Sequence, residues 1–180
     1  MTRRLDAALE LPSTEDRCAE VSRAIQTFVA AGERLDAEWL QPGPTSYGRR
    51  LLHRHPEGRY TVVVMTWASG QGTPIHDHAG LWCVECVYQG SIQVSSFRLV
   101  DESEDGAVRF ERESQITAGV GAAGALIPPF DYHVIENPFA EVAATIHVYG
   151  GEMEQCAVFE PTADGRYRRC ARALAYSSAE

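Results

Sequence analysis

"TPIHDHAGLWCVEC", Thr73 to Cys86, gathers two histidines, a tryptophan and two cysteines in a stretch too short to fold alone. In extended backbone successive side chains leave opposite faces, so His76 and His78 leave one side together and Asp77 the other. The pair can clasp one ion. Cys83 and Cys86 stand three apart, so in a strand they face opposite ways, and no second CxxC accompanies them. "CVEC" therefore reads as neither a zinc knuckle nor a redox pair.

Outward from this stretch the chain is a series of short β-branched or aromatic runs separated by turn residues. They are "RYTVVVMTW", "LWCVECVYQG", "SIQVSSFRLV", "AVRFERESQI", "AATIHVYG", "CAVFEP" and "YRRCARALAY". "RRLLHRH" (Arg49 to His55) reads as one more strand with a charged edge, and "DESEDGA" as a solvated hairpin tip. Ahead of them, Ser13 or Thr14 caps a helix whose apolar face is Cys18, Val21, Ile25, Phe28 and Val29, ending at Gly32. A shorter helix covers Asp36 to Leu40. The expected architecture is all-β with a small α cap: residues 1–45 helical, residues 46–180 a β-barrel or sandwich, the whole a single domain.

Bulk properties narrow the partners. The 180 residues, 44% of them hydrophobic, suffice for one sizeable core. A formal charge of −9 argues against a nucleic-acid surface. No run approaches the ~18 apolar residues of a membrane span, and "MTRRLDAALELPS" lacks the apolar centre of a secretory signal. The odd count of five cysteines, Cys18, Cys83, Cys86, Cys156 and Cys170, speaks against a disulfide framework. The expectation is a cytoplasmic protein, a monomer or small homo-oligomer, without nucleic-acid or membrane partners.

Gly70, five residues, His76-x-His78, four residues, Cys83, six residues and Gly90 resemble the first signature of the cupin barrels, with cysteine where most cupins carry glutamate. "PPFDYHVIEN" resembles the second through Pro128, His133 and Asn137, with Phe130 where glycine is usual. The resemblance implies a jelly-roll barrel in which His76, His78 and His133 meet around one metal. Because His78 and Cys83 differ in parity, the backbone must turn between them to bring both inward, and Ala79-Gly80 is the place for it. Three neutral imidazoles leave a divalent ion its full charge, which favours anionic incoming ligands such as thiolates. Ligand type alone does not name the metal, since three histidines also hold catalytic zinc.

Between Tyr47 and Phe159 the chain further resembles the cysteine dioxygenase family, the non-haem iron thiol dioxygenases. The matching residues are "YGR" (Tyr47 to Arg49), Trp67, "HDH", Cys83, "HVIEN", "TIHVY" (Thr145 to Tyr149) and Cys156. The resemblance implies Fe(II) on His76, His78 and His133, open to a small thiol and O2 together because Cys83 replaces the fourth ligand. It implies that Cys83 and Tyr149 become joined by a thioether bond. Thr145 stands where the family's Ser-His-Tyr chain has serine and keeps a hydroxyl to orient His147. Thr145 and Cys156 would back the residues that meet the substrate. Tyr47, Arg49 and Tyr149 would hold a substrate carboxylate, Arg49 through two parallel hydrogen bonds; counting back from Trp67 without a gap selects Arg50 instead.

The implied reaction takes L-cysteine to cysteine sulfinate. 3-Mercaptopropionate and mercaptosuccinate are alternatives, the latter needing a further cation such as Arg50, His53 or Arg59. "AGLW" before Cys83 departs from the mammalian pattern. A non-catalytic ligand- or metal-binding cupin, or a zinc or manganese hydrolase or isomerase, is the reading from another class.

Overall fold

The amino-terminal helix is set by a local contest for backbone N–H groups. Ser13 Oγ accepts from the Asp16 backbone N–H at 3.0 Å, and Glu15 and Asp16 place negative charge on the first turn of α2 (Thr14–Ala30). Gly32, at φ +68°, takes up the left-handed geometry just past its end. A shorter helix, α1 (Thr2–Ala8), packs against α2, and a single 3-10 turn follows at Ala37–Leu40. This computed structural model describes residues 1–129 and 131–177; Phe130, where the second barrel signature departs from glycine, lies outside them.

Among the described residues eleven strands follow. They are β1 (Gly48–Arg54), β2 (Thr61–Trp67), β3 (Ile75–His76), β4 (Cys83–Gln89), β5 (Ser91–Glu102), β6 (Ala107–Gly119), β7 (Ala123–Leu126), β8 (His133–Glu136), β9 (Ala143–Tyr149), β10 (Gln155–Pro161) and β11 (Tyr167–Ala173). One sheet runs β1-β2-β9-β4-β7; the other six strands close on themselves in the order β10-β11-β6-β5-β8-β3. The two face each other as a jelly-roll β-sandwich with the helices at the amino terminus, the cupin architecture. Among the described residues no helix is long and apolar enough to cross a membrane.

The apolar runs of β2 and β9 are buried along their whole length because both of their faces are covered. Val62, Val84, Cys86, Ile146 and Val148 point outward and meet Leu5, Cys18, Val21 and Ile25 of the helices. Val63, Met65, Trp67, Cys83, Val87 and Tyr149 point into the sandwich. Cys83 and Cys86 thus lie in different cores, as their spacing requires. Trp82 belongs to the outer layer: its ring packs on Gly150, where a Cβ would run into it. The departure "AGLW" therefore falls outside the barrel interior.

Some elements carry no sequence signal of their own. β3 has two residues and β7 is "AGAL"; both exist because neighbours supply a ladder, β7 pairing Cys83 with Leu126 through Cys86 with Ala123. The expected hairpin tip is present, with Ser103 and Ala107 hydrogen-bonded across Gly106.

Candidate metal centre

β3 and β8 pair antiparallel with His76 directly opposite His133, so strand register places two imidazoles side by side, ring centroids 4.4 Å apart. His78 joins them at 5.3 Å from His76 and 5.0 Å from His133. Asp77 faces away, accepting from Ala79 N, Ala157 N and Arg169. The chain then reverses at Ala79 and Gly80, φ +53° and +81°, and Cys83 enters β4 facing the same interior. One ring nitrogen from each histidine lies within 4.8 Å of the others.

Every Nδ1 of the three has an acceptor: Pro74 O at 3.1 Å for His76, Asp131 Oδ2 at 3.2 Å for His78, and Asp131 O at 3.1 Å for His133. That fixes the proton on Nδ1 and leaves each Nε2 lone pair for a metal. Burial pushes His76 down to about 4 and His133 well below its ordinary value, so both imidazoles are neutral at physiological pH. His133 Nε2 is sealed from solvent with no hydrogen-bond partner, an orphaned acceptor that a cation satisfies. By donor set, protonation and this orphaned atom, the three residues fit a metal ion.

Around them stand the other residues singled out in the sequence. Cys83 and Tyr149 are register partners on β4 and β9, and burial raises both of their pKa values well above the ordinary range. Trp67 Nε1 donates to Thr145 Oγ1 at 3.0 Å, and Thr145 meets His147 Nε2 at 2.7 Å. The chain of contacts does not continue to the phenol: Tyr149 Oη points to Met65 Sδ at 3.8 Å, and His147 Nδ1 faces Cys83 Sγ at 3.9 Å.

Arg49 is buried and lines the histidine cavity, whereas Arg50 lies on the other face of β1 against Gln41 O and Thr66. Arg49 Nη2 donates to Met153 O at 3.0 Å, and its guanidinium lies 4.5 Å from the centre of the Tyr176 ring. Ser177 closes the arrangement, its N–H donating to Arg49 O at 2.7 Å and its hydroxyl accepting from Arg49 N at 3.0 Å. Tyr47, stacked on Trp67 with centroids 4.7 Å apart, and Cys156 line the same cavity. Neither His53 nor Arg59 does: His53 packs on Tyr60 and Arg59 pairs with Glu10.

A buried acid escaped the sequence reading. Glu85, two positions after Cys83 and on the same face of β4, is buried with Oε2 3.7 Å from both His133 Nε2 and His147 Nδ1 and without a hydrogen-bond partner. It stands beside the triad, outside the three-histidine cluster. Burial pushes its carboxyl up from 4.5 to about 8. A glutamate at an inward position of the run "LWCVECVY" was the available signal.

Neutral imidazoles converging inside a jelly-roll sandwich place the chain among the metal-binding cupins. The sequence profile of the family Cysteine dioxygenase type I matches residues 19–162. Cysteine dioxygenase type 1 of Rattus norvegicus is 24% identical over 140 residues, covering 76% of this chain and 68% of that protein; the Bos taurus protein is 25% identical over 144 residues with the same coverage. Among solved structures, a Cupin 2 conserved barrel domain protein from Salinispora arenicola superposes with a TM-score of 0.45 at 18% identity, over 65% of this chain and 85% of the other. The chain belongs to the cysteine dioxygenase type I family and is a cupin thiol dioxygenase.

Two outcomes follow from the geometry. His133→Ala removes the orphaned donor, and the purified variant is expected to retain under a tenth of the wild-type metal by elemental analysis; full occupancy would refute the ligand assignment. For Glu85, the folded pKa lies above the unfolded one, so between about pH 4.5 and 8 the metal-free fold binds the extra proton and loses stability as pH rises. Glu85→Gln is expected to flatten that decline, by on the order of a few kcal/mol across the window. Urea titrations of chelator-stripped protein at pH 5, 6, 7 and 8 measure it, and equal slopes for both proteins would count against it.

Proposed function

We propose that the chain is an iron-dependent dioxygenase that adds both atoms of O2 to the sulfur of a small carboxylate-bearing thiol, with L-cysteine giving cysteine sulfinate as the family's expected reaction. The carrying observation is a buried guanidinium, Arg49, in the same cavity as the three histidines and without an acidic partner among the described residues. A buried unpaired cation is costly, and a substrate carboxylate supplies the missing counter-charge.

The chemistry balances without an outside reductant: RSH and O2 give RSO2H, sulfur losing the four electrons that dioxygen gains. Bound Fe(II) supplies the positive charge that holds sulfur as thiolate and the redox chemistry that joins it to oxygen. Arg49 grips the carboxylate through its planar fork, and Tyr47 and Tyr149 border the same space. Tyr176 beneath Arg49 and Met153 O, which accepts from Nη2, keep the guanidinium from turning away, while Ser177 ties down the Arg49 backbone. Thr145 sets the His147 ring, whose Nδ1 then faces Cys83. The register pairing of Cys83 with Tyr149 supports a thioether bond between them. No disulfide joins any of the five cysteines, which suits a cytoplasmic setting.

Oxygen uptake by Fe(II)-loaded protein across cysteine, cysteamine, 3-mercaptopropionate and mercaptosuccinate tests the activity. No uptake with any thiol would return the chain to a binding cupin, and zinc or manganese as the native metal would point to hydrolysis or isomerisation. Arg49→Ala is expected to raise KM for the carboxylate-bearing thiol at least tenfold with iron content unchanged; the same effect from Arg50→Ala in its place would reassign the clamp. Peptide mass mapping after turnover should show Cys83 and Tyr149 peptides joined with loss of two hydrogens, and wholly separate peptides would remove the cross-link from the proposal.

A further inference from the structure

The histidine cavity contains a second arginine that the family resemblance does not reach. Arg172 lies on β11, beyond the residues the family profile matches, and lines the same cavity as Arg49 and the three histidines. No carboxylate lines that cavity among the described residues; Glu85, whose Oε2 lies 3.7 Å from His133 Nε2, borders a different cavity.

Strand geometry aims Arg172 at the site. Residues 172, 174 and 176 alternate onto one face: Leu174 lines the cavity with Arg172, and Tyr176 supports the Arg49 guanidinium. Arg172 is the register partner of Cys156, itself a lining residue. The fields of Arg49 and Arg172 both ease the charged forms of Tyr47 and Cys156, so the two guanidiniums flank these side chains.

Arg172 also lacks a counter-ion. Its strand neighbour Arg169 pairs with Asp77 at 3.1 Å, whereas Arg172 makes no ion pair or side-chain hydrogen bond among the described residues. In a chain of net charge −9, an acid-free cavity with two guanidiniums and a divalent-cation site concentrates positive charge. A thiolate with one carboxylate brings two negative charges against four positive ones; a second carboxylate brings three. The enclosed part of the cavity, about 20 Å³, has room for little beyond one or two water-sized groups. The sulfur end fills it, and further substituents lie toward the rim, where Arg172 is exposed.

We propose that Arg172 forms a second carboxylate subsite, and that the enzyme prefers a thiol bearing two carboxylates, one held by Arg49 and the other by Arg172. The inference rests on the dioxygenase reading and refines its substrate. Cysteine satisfies Arg49 but offers no second anion, its amine sitting on the carbon beside the carboxylate.

Mercaptosuccinate and 3-mercaptopropionate isolate the effect, because they differ by one carboxylate on the carbon that carries sulfur. With Fe(II)-loaded wild type, kcat/KM for mercaptosuccinate is expected to exceed that for 3-mercaptopropionate and for L-cysteine at least tenfold. Arg172→Met should shrink the mercaptosuccinate to 3-mercaptopropionate ratio at least tenfold at equal iron content, with Arg172→Lys intermediate. An unchanged ratio in Arg172→Met, or a wild type without the preference, overturns the proposal. Anaerobic calorimetric titration with the same two thiols reads the ratio without turnover. Arg172-dependent preference in binding, with no oxygen uptake on any thiol, would sustain the subsite and refute the dioxygenase reading; loss of the preference in binding would refute the subsite itself.

Discussion

An imidazole can offer a lone pair while staying uncharged only if its proton is held on the other nitrogen, and the whole centre depends on that condition being met three times. Asp131 meets it twice, through its side chain for His78 and its backbone carbonyl for His133, while Pro74 meets it for His76. The carboxylate of Asp131 is itself raised by burial but brought below its ordinary range by the hydrogen bonds it accepts from His78, which keeps it an acceptor. Strand register does the rest, since His76 and His133 cannot separate without breaking the β3–β8 pairing.

The surrounding layers make this affordable in a chain of this size. Because α1 and α2 cover the outer face of β2, β4 and β9, those strands can be apolar on that side and dedicate the inner side to Cys83, Thr145, His147 and Tyr149. The inner polar groups are then satisfied in sequence, Trp67 to Thr145 to His147, rather than by water. Glu85 is the exception. Its unpartnered oxygen shows that the interior tolerates an acid there, with burial favouring the neutral form.

Much of this was legible before any coordinates. The pairing of His76 with His78, the turn at Ala79-Gly80 and the Ser13 cap follow from parity, spacing or cap chemistry, while His133 joined them only through the cupin resemblance; the structure has all four features. What stayed hidden depends on tertiary context. β7 is built of small residues with little strand preference and is held only by β4. The choice between Arg49 and Arg50 turned on a gap in "HRHPEG", and the register of β1 puts only Arg49 in the cavity; the irregularity there falls between Leu51 and His53. Arg172 was invisible because "YRRCARALAY" reads only as one more short strand, and only the pairing of β11 with β10 brings it beside Cys156.

The bond from Ser177 to Arg49 and the ring of Tyr176 beneath the guanidinium join positions more than a hundred residues apart. The anion clamp is therefore a long-range closure, whereas the three histidines span a much shorter loop of chain. As the polypeptide emerges from the ribosome, the histidine segment is available well before its final strand can dock. Because His76 also pairs with Val158 of β10, however, the metal site closes only with the carboxy-terminal strands, and the holding of metal and of anion is completed together as the last of the chain docks.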